Sequence, residues 1–123
     1  MKYTHIYTGT DGKSHFKDLE MPLKEMHTGR LSTEAMKAVS ISFRDNSQYE
    51  SNYHNAPRRQ FLITIGGEVE ITAGGTTRRF GAGEILLADD TTGQGHITQI
   101  VDGTTWRVIV VPIDYDLPGL PER

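Results

Sequence analysis

The strongest candidates for chemistry in this sequence are two histidines, His54 and His96. An imidazole exchanges a proton near neutral pH, so either residue can serve as a general acid or base without a cofactor. Arg58 and Arg59 follow His54 closely, and a guanidinium can hold a carboxylate or a phosphate through two parallel hydrogen bonds. Because adjacent residues of a strand face opposite ways, we expect at least one of these arginines to lie on the surface.

A polar loop rich in Asp, Thr and Gly, residues 89–95, leads into His96. Asp89 and Asp90 could hold a metal or orient His96, but a run of this composition more often forms a turn capped by its own side chains. We therefore predict a turn in which Gly93 and Gly95 serve the backbone geometry.

Composition excludes several classes of protein. The chain has 123 residues, which fits a single domain, and it has no cysteine, so it forms neither disulfides nor thiolate metal sites. A net charge of −3 argues against a nucleic-acid partner. No apolar run is long enough to cross a membrane and no signal peptide is visible, so we expect a cytoplasmic protein without a membrane partner.

Short β-type runs separated by turn residues make up the second half of the chain. Predicted strands cover 61–65, 68–72, 77–80, 85–88, 96–101 and 105–112, with a tight hairpin at 73–76. Strands this short and evenly spaced are typical of an antiparallel sandwich or a closed barrel.

The rest of the chain is less regular. Residues 1–37 are predicted to be an irregular N-terminal segment with a short strand at 6–7, and residues 38–43 a strand. The core is expected to span about 38–113, and residues 114–123, with two prolines, to form an extended tail on the surface.

One shared site requires the candidate residues to point the same way. Residues two apart on a strand share a face, so a regular strand places His54, Ala56, Arg58 and Gln60 on one side. In a closed barrel, one face of every strand points inward. Pro57 warns of an irregularity, because proline fits poorly inside a central strand.

From about residue 52 to residue 100 the chain resembles the cupin family. The first cupin motif runs His-x-His, then Glu, then Gly, and here its positions are taken by His54, Ala56, Gln60 and Gly67. The second motif is a Gly-Asp-like turn, a short strand and a loop ending in His, and residues 83–96 match it with a longer loop. The resemblance implies a small single-domain cupin with a degenerate metal motif. Its fold would be all-β, a cupin-type double-stranded β-helix or jelly-roll barrel.

The same resemblance implies a metal site inside the barrel. Its ligands would be His54, Gln60 and His96, and two imidazoles with an oxygen suit divalent iron, nickel, manganese or zinc. We expect weakened affinity, because the Gln60 amide is uncharged and Ala56 supplies no ligand. The alternative is a decayed site in which the two histidines only line a pocket or hydrogen-bond each other.

The expected function is small-molecule binding in the barrel, and the fold does not choose between enzyme and binding module. Oxygenase, isomerase and lyase chemistry all agree with the resemblance, as does a non-catalytic ligand sensor without metal. The predicted pocket residues are Arg58, Tyr53, Trp106 and Phe43. A homodimer is expected because small cupins usually pair sheets or exchange edge strands, and Tyr3 to Tyr7 is the candidate exchanged strand.

Overall fold

The computed structural model describes residues 1–47 and 51–120, and every regular element in those ranges is a β-strand. The strands are β1 Lys2–Thr8, β2 Ser14–Glu20, β3 Lys24–His27, β4 Arg30–Ser32, β5 Ser42–Asn46, β6 Gln60–Gly66, β7 Glu68–Ala73, β8 Thr76–Gly81, β9 Ile85–Ala88, β10 His96–Ile100 and β11 Trp106–Pro112.

Two facing sheets form the body of the protein. The larger has six strands in the order β2-β1-β9-β6-β11-β5, and the smaller has three in the order β10-β7-β8. Every pair is antiparallel except β1 with β9, which run parallel. The main apolar core includes Ile6, Leu62, Ile71, Phe80, Leu86 and Val108 and draws on both sheets. The fold is the predicted all-β architecture, with two packed sheets as in a jelly roll.

The β7–β8 hairpin shows how directly the local sequence sets this architecture. Along β7, Val69 and Ile71 are buried while the alternate residues face outward, as a half-buried strand requires. Gly74 and Gly75 form the turn with φ of 57° and 83°. Two successive left-handed residues are what a type I′ hairpin turn needs, and glycine adopts this conformation without strain.

The outer face of the six-stranded sheet is also apolar. Tyr3, Phe61 and Leu87 form a second cluster there, and Ile113 and Leu117 from the C-terminal segment cover it. Leu117 is buried, so the prediction of a surface-lying tail is wrong for this residue. Residues 121–123 of that tail lie outside the described ranges.

The prediction of an irregular N-terminal segment is wrong. Strand β1 pairs with β2 on one side and β9 on the other, and Tyr3 and Ile6 are core residues. Both faces of β1 are covered, and Thr4 and His5 are buried with them, so no apolar–polar alternation marks the strand in the sequence. The Tyr3–Tyr7 run therefore does not offer a free edge within its own chain.

The strand predicted at 38–43 is displaced toward the C-terminus. Ala38 makes one isolated bridge to Ile113, and the regular strand is β5, at the edge of the six-stranded sheet. Its outward side carries Phe43, which is 72% exposed.

No helix in the described parts of the chain has the length and apolar character needed to span a membrane.

Candidate functional site

A cavity of about 170 Å³ opens between the two sheets. Its polar lining consists of Arg44, Asn46, His54, Gln60, His96 and Thr98. Its apolar wall includes Leu62, Ala88, Trp106, Val108 and Val110. The volume is smaller than the roughly 300–1,000 Å³ of drug-sized ligand pockets, so the space suits a small metabolite.

The structure brings His54 and His96 together inside this cavity. The two residues form an isolated antiparallel bridge, with N–H to carbonyl distances of 3.0 and 2.9 Å in the two directions. Their ring centroids lie 4.6 Å apart. Gly95 makes this approach possible: its φ is 79°, and a Cβ there would collide with the carbonyl oxygen of His54. Glycine is the residue that meets both conditions.

In both imidazoles, the Nδ1 atom is the ring nitrogen that makes a hydrogen bond. The Nδ1 of His54 lies 3.0 Å from the carbonyl oxygen of Asn52, and the Nδ1 of His96 lies 2.6 Å from Oδ2 of Asp90. A carbonyl or an ionised carboxylate only accepts, so each Nδ1 carries the proton. Each neutral ring therefore keeps its lone pair on Nε2, and neither Nε2 has a hydrogen-bond partner among the described residues.

Asp90 is fully buried behind His96. Its Oδ2 also accepts a hydrogen bond of 2.7 Å from the Ser14 hydroxyl, at the start of β2. A carboxylate that accepts from the Nδ1 of a histidine fixes the ring's tautomer and orientation. Of the two roles considered for Asp90 in the sequence, the structure shows the orienting one, and the prediction of a self-capped turn is wrong for this residue.

Asp89 points away from the cavity. Its carboxylate accepts two hydrogen bonds from Arg59, of 3.1 and 3.0 Å, and one of 2.9 Å from Nε2 of His5. Burial alone would lower the pKa of Arg59, but the hydrogen bonds and charges of Asp89 and Asp116 outweigh it and raise that pKa. Asp89 therefore also departs from the predicted turn role, because it anchors a buried ion pair.

Gln60 lies in the cavity at the start of β6, and its amide has no partner among the described residues. The preceding residues form no regular strand, as Pro57 warned, yet His54 and Ala56 line the same cavity. Within 1–47 and 51–120, no three His, Cys, Asp or Glu side chains cluster closely enough to hold a metal. The polar side-chain groups of the cavity without a hydrogen-bond partner among the described residues include the two Nε2 atoms and the Gln60 amide.

Three of the four predicted pocket residues lie outside the cavity. Arg58 is exposed because the irregular backbone after Pro57 breaks the strand parity that would have turned it inward. Phe43 is on the outward side of β5, and Tyr53 is 45% exposed beside His54. Trp106 alone of the four lines the cavity, where its Nε1 donates to Thr64 Oγ1 over 3.0 Å, so it also has a packing role.

Sequence reasoning missed Arg44 and Asn46, which face the cavity from β5. Placing the strand four residues later makes the pattern visible: Arg44 and Asn46 pair with Val108 and Trp106, and all four side chains share the inner face. Because residues 38–43 carry the apolar alternation, the sequence pointed to the wrong stretch of chain.

Comparisons with known proteins reach only the level of structure. No family model matches the chain, and no curated protein matches it. Nine chains of solved structures do. A conserved protein of unknown function from Streptococcus pyogenes, SPY1581, has 18% identity and a TM-score of 0.46 over 68% of this chain and 71% of its own. The Cnp3 cupin domain of Schizosaccharomyces pombe has 9% identity and a TM-score of 0.45 over 92% of this chain and 88% of its own. Similarities this low carry no information about activity.

Proposed function

We propose that this protein binds a small molecule in the barrel cavity, at a divalent metal ion held by His54, Gln60 and His96. The observation that carries the proposal is the pair of imidazoles 4.6 Å apart whose Nδ1 atoms are both bound and whose Nε2 atoms are both free. Metal-ligating histidines generally donate their other N–H to a carbonyl or a carboxylate, and both arrangements occur here.

The chain's own residues define what such a site does. Asp90 and the Asn52 carbonyl fix the orientation of the two imidazoles, and Leu62, Val110 and Trp106 form an apolar wall that limits water. Bound iron, nickel, manganese or zinc would supply a Lewis acid with open positions for substrate. Oxygenase, isomerase and lyase reactions all remain compatible with this arrangement.

A second candidate function is metal-free proton transfer by His96. The Asp90–His96 hydrogen bond of 2.6 Å favours it, because a buried carboxylate on Nδ1 leaves Nε2 as the base that faces the cavity. A third, the non-catalytic ligand sensor, uses the same cavity without turnover. Turnover of any ligand that raises the melting temperature would decide for an enzyme.

The test of the metal proposal is isothermal titration calorimetry with zinc, nickel, manganese and iron(II). We expect one metal per chain, and at least a tenfold loss of affinity in His54→Ala and His96→Ala. His27→Ala is the matched control, because His27 is exposed on β3, away from the cavity. If the wild type binds none of the four metals, the metal proposal is rejected and only the metal-free candidates stand.

We also propose a homodimer located in the cytoplasm. The exposed apolar residues at the β5 edge support the dimer, since Ile41 is 60% exposed beside Phe43. Light scattering tests it, and a monomer at micromolar concentration would reject it. Neither nucleic acid nor membrane is proposed as a partner.

A further inference from the structure

We infer that the ligand of the cavity is a small carboxylate and that Arg44 binds its anionic end. This inference rests on the proposed small-molecule site and names the class of ligand for it. It replaces the anion-binding role that the sequence suggested for Arg58 with a residue that the fold directs into the cavity.

The register of β5 turns Arg44 inward. Arg44 pairs with Val108 of β11, which lines the same cavity, whereas the next residue, Asp45, pairs with Arg107 on the outer side of the sheet. Arg107 donates to Asp45 over 2.8 and 3.3 Å. The acid adjacent to Arg44 in the chain is therefore already engaged on the other face.

Arg44 has no ion-pair partner among the described residues, and the cavity lining contains no Asp or Glu. Among the other described arginines, Arg59, Arg78, Arg79 and Arg107 pair with carboxylates of the chain, whereas the exposed Arg30 and Arg58 do not. A guanidinium matches a carboxylate in geometry and forms two parallel charge-assisted hydrogen bonds with it. Arg44 is exposed to solvent, and it is the one arginine, lysine or carboxylate side chain that lines this cavity among the described residues.

The remaining lining limits the rest of the ligand. Leu62, Ala88, Val110 and Trp106 are apolar and buried, and they contact whatever lies beyond the anionic group. The cavity of about 170 Å³ leaves room for a short apolar body only. A monocarboxylate with a compact apolar part would bind Arg44 through its carboxylate and contact the apolar wall with the rest of the molecule.

Trp106 provides the readout, because it is the single tryptophan of the sequence and lines the cavity. Benzoate and its neutral analogue benzamide are the probes, titrated against the purified protein with EDTA present so that no metal–carboxylate bond contributes. We expect benzoate to change the Trp106 fluorescence with a dissociation constant about tenfold below that of benzamide, the ratio typical of one charge-assisted hydrogen-bonded pair.

Two variants assign the effect to Arg44. In Arg44→Gln we expect benzoate affinity to fall about tenfold, to the level of benzamide. Arg58→Gln, which removes an exposed arginine outside the cavity, should leave both dissociation constants unchanged. Circular dichroism of both variants confirms that the fold is intact.

The outcomes separate this inference from the proposed site. If benzamide binds as tightly as benzoate, or if Arg44→Gln binds benzoate like the wild type, the carboxylate inference is overturned while small-molecule binding stands. If neither compound changes the fluorescence with EDTA present, the carboxylate inference is overturned, while the metal-assisted site is tested separately by the calorimetry described above.

Discussion

Two consecutive aspartates after β9 form two Asp–His pairs that the fold uses differently. Asp89 and His5 lie on the outer side of the six-stranded sheet, with Arg59 completing a buried ion pair. Asp90 and His96 lie on the inner side, where His96 reaches the cavity. The residue types are the same, so the difference comes from the alternation of an extended chain and from what each face meets.

The comparison shows that an Asp–His pair by itself does not mark a functional site. The ring of His5 stacks on that of Tyr7 with centroids 5.2 Å apart, and its Nε2 hydrogen-bonds Asp89. Its Nδ1 is buried and has no hydrogen-bond partner among the described residues. His96 keeps its Nε2 free beside His54. Access to the cavity is therefore what separates a pair that stabilises the fold from a pair that can act on a ligand.

Removing the outer aspartate should have the largest effect on stability. Asp89→Ala leaves the Arg59 guanidinium buried without its main counter-charge, so we expect a loss of about 3–5 kcal/mol in the free energy of unfolding. Urea denaturation measures it. Asp116→Ala is the control, since Asp116 also contacts Arg59 but is 98% exposed and should cost less than about 1 kcal/mol. Equal losses in the two variants would contradict the structural role given to Asp89.

Displacing the inner pair should cost somewhat less stability but should also alter the site. Gly95→Ala forces a left-handed alanine and a Cβ against the His54 carbonyl, so we expect a loss of about 2–4 kcal/mol and weaker metal binding. Gly103→Ala is matched in backbone conformation, with φ of 77°, but its Cβ would meet nothing within 4 Å. Its loss should be about 1–2 kcal/mol with metal binding intact. A similar result for both glycines would show that His54 and His96 do not depend on this close approach.

Changing only the charge behind each histidine should produce the smallest and most selective effect. Asp90→Asn keeps an acceptor for Ser14 and His96 but removes the charge, so we expect metal affinity to fall about tenfold to a hundredfold. Asp89→Asn should leave the metal affinity of the folded protein unchanged. Calorimetric titration of both variants with metal measures the difference. Equal metal affinity in Asp90→Asn and Asp89→Asn would mean that the inner Asp–His pair has no special role in metal binding.

Much of the fold could be predicted from the sequence, because alternation and glycine turns act locally. The strand at 85–88 was predicted with the bounds of β9, and the hairpin at Gly74 and Gly75 forms as expected. Strand β1 was predicted only at residues 6–7 and not in its full length, since its polar residues Thr4 and His5 are buried by partners 14 and 84 positions away. Such contacts depend on tertiary structure rather than on local pattern.

The candidate site was predictable only in part, for the same reason. His54, Gln60 and His96, the ligand positions that the cupin resemblance implied, share one cavity, and Trp106 lines it as well. Arg58 could not be placed correctly, because strand parity was assumed to continue through Pro57. The role of Asp90 depends on Ser14, 76 positions earlier in the chain, and no local signal links the two.

The most direct test of the central claim is the tautomeric state of the histidines, read by two-bond ¹H–¹⁵N correlation NMR before and after zinc is added. We predict that His54 and His96 are protonated on Nδ1 and His5 on Nε2, and that zinc shifts the Nε2 resonances of His54 and His96 while His5 stays unchanged. If His54 or His96 carries its proton on Nε2, or if zinc leaves both rings unchanged, the two imidazoles do not form the metal site proposed for this cavity.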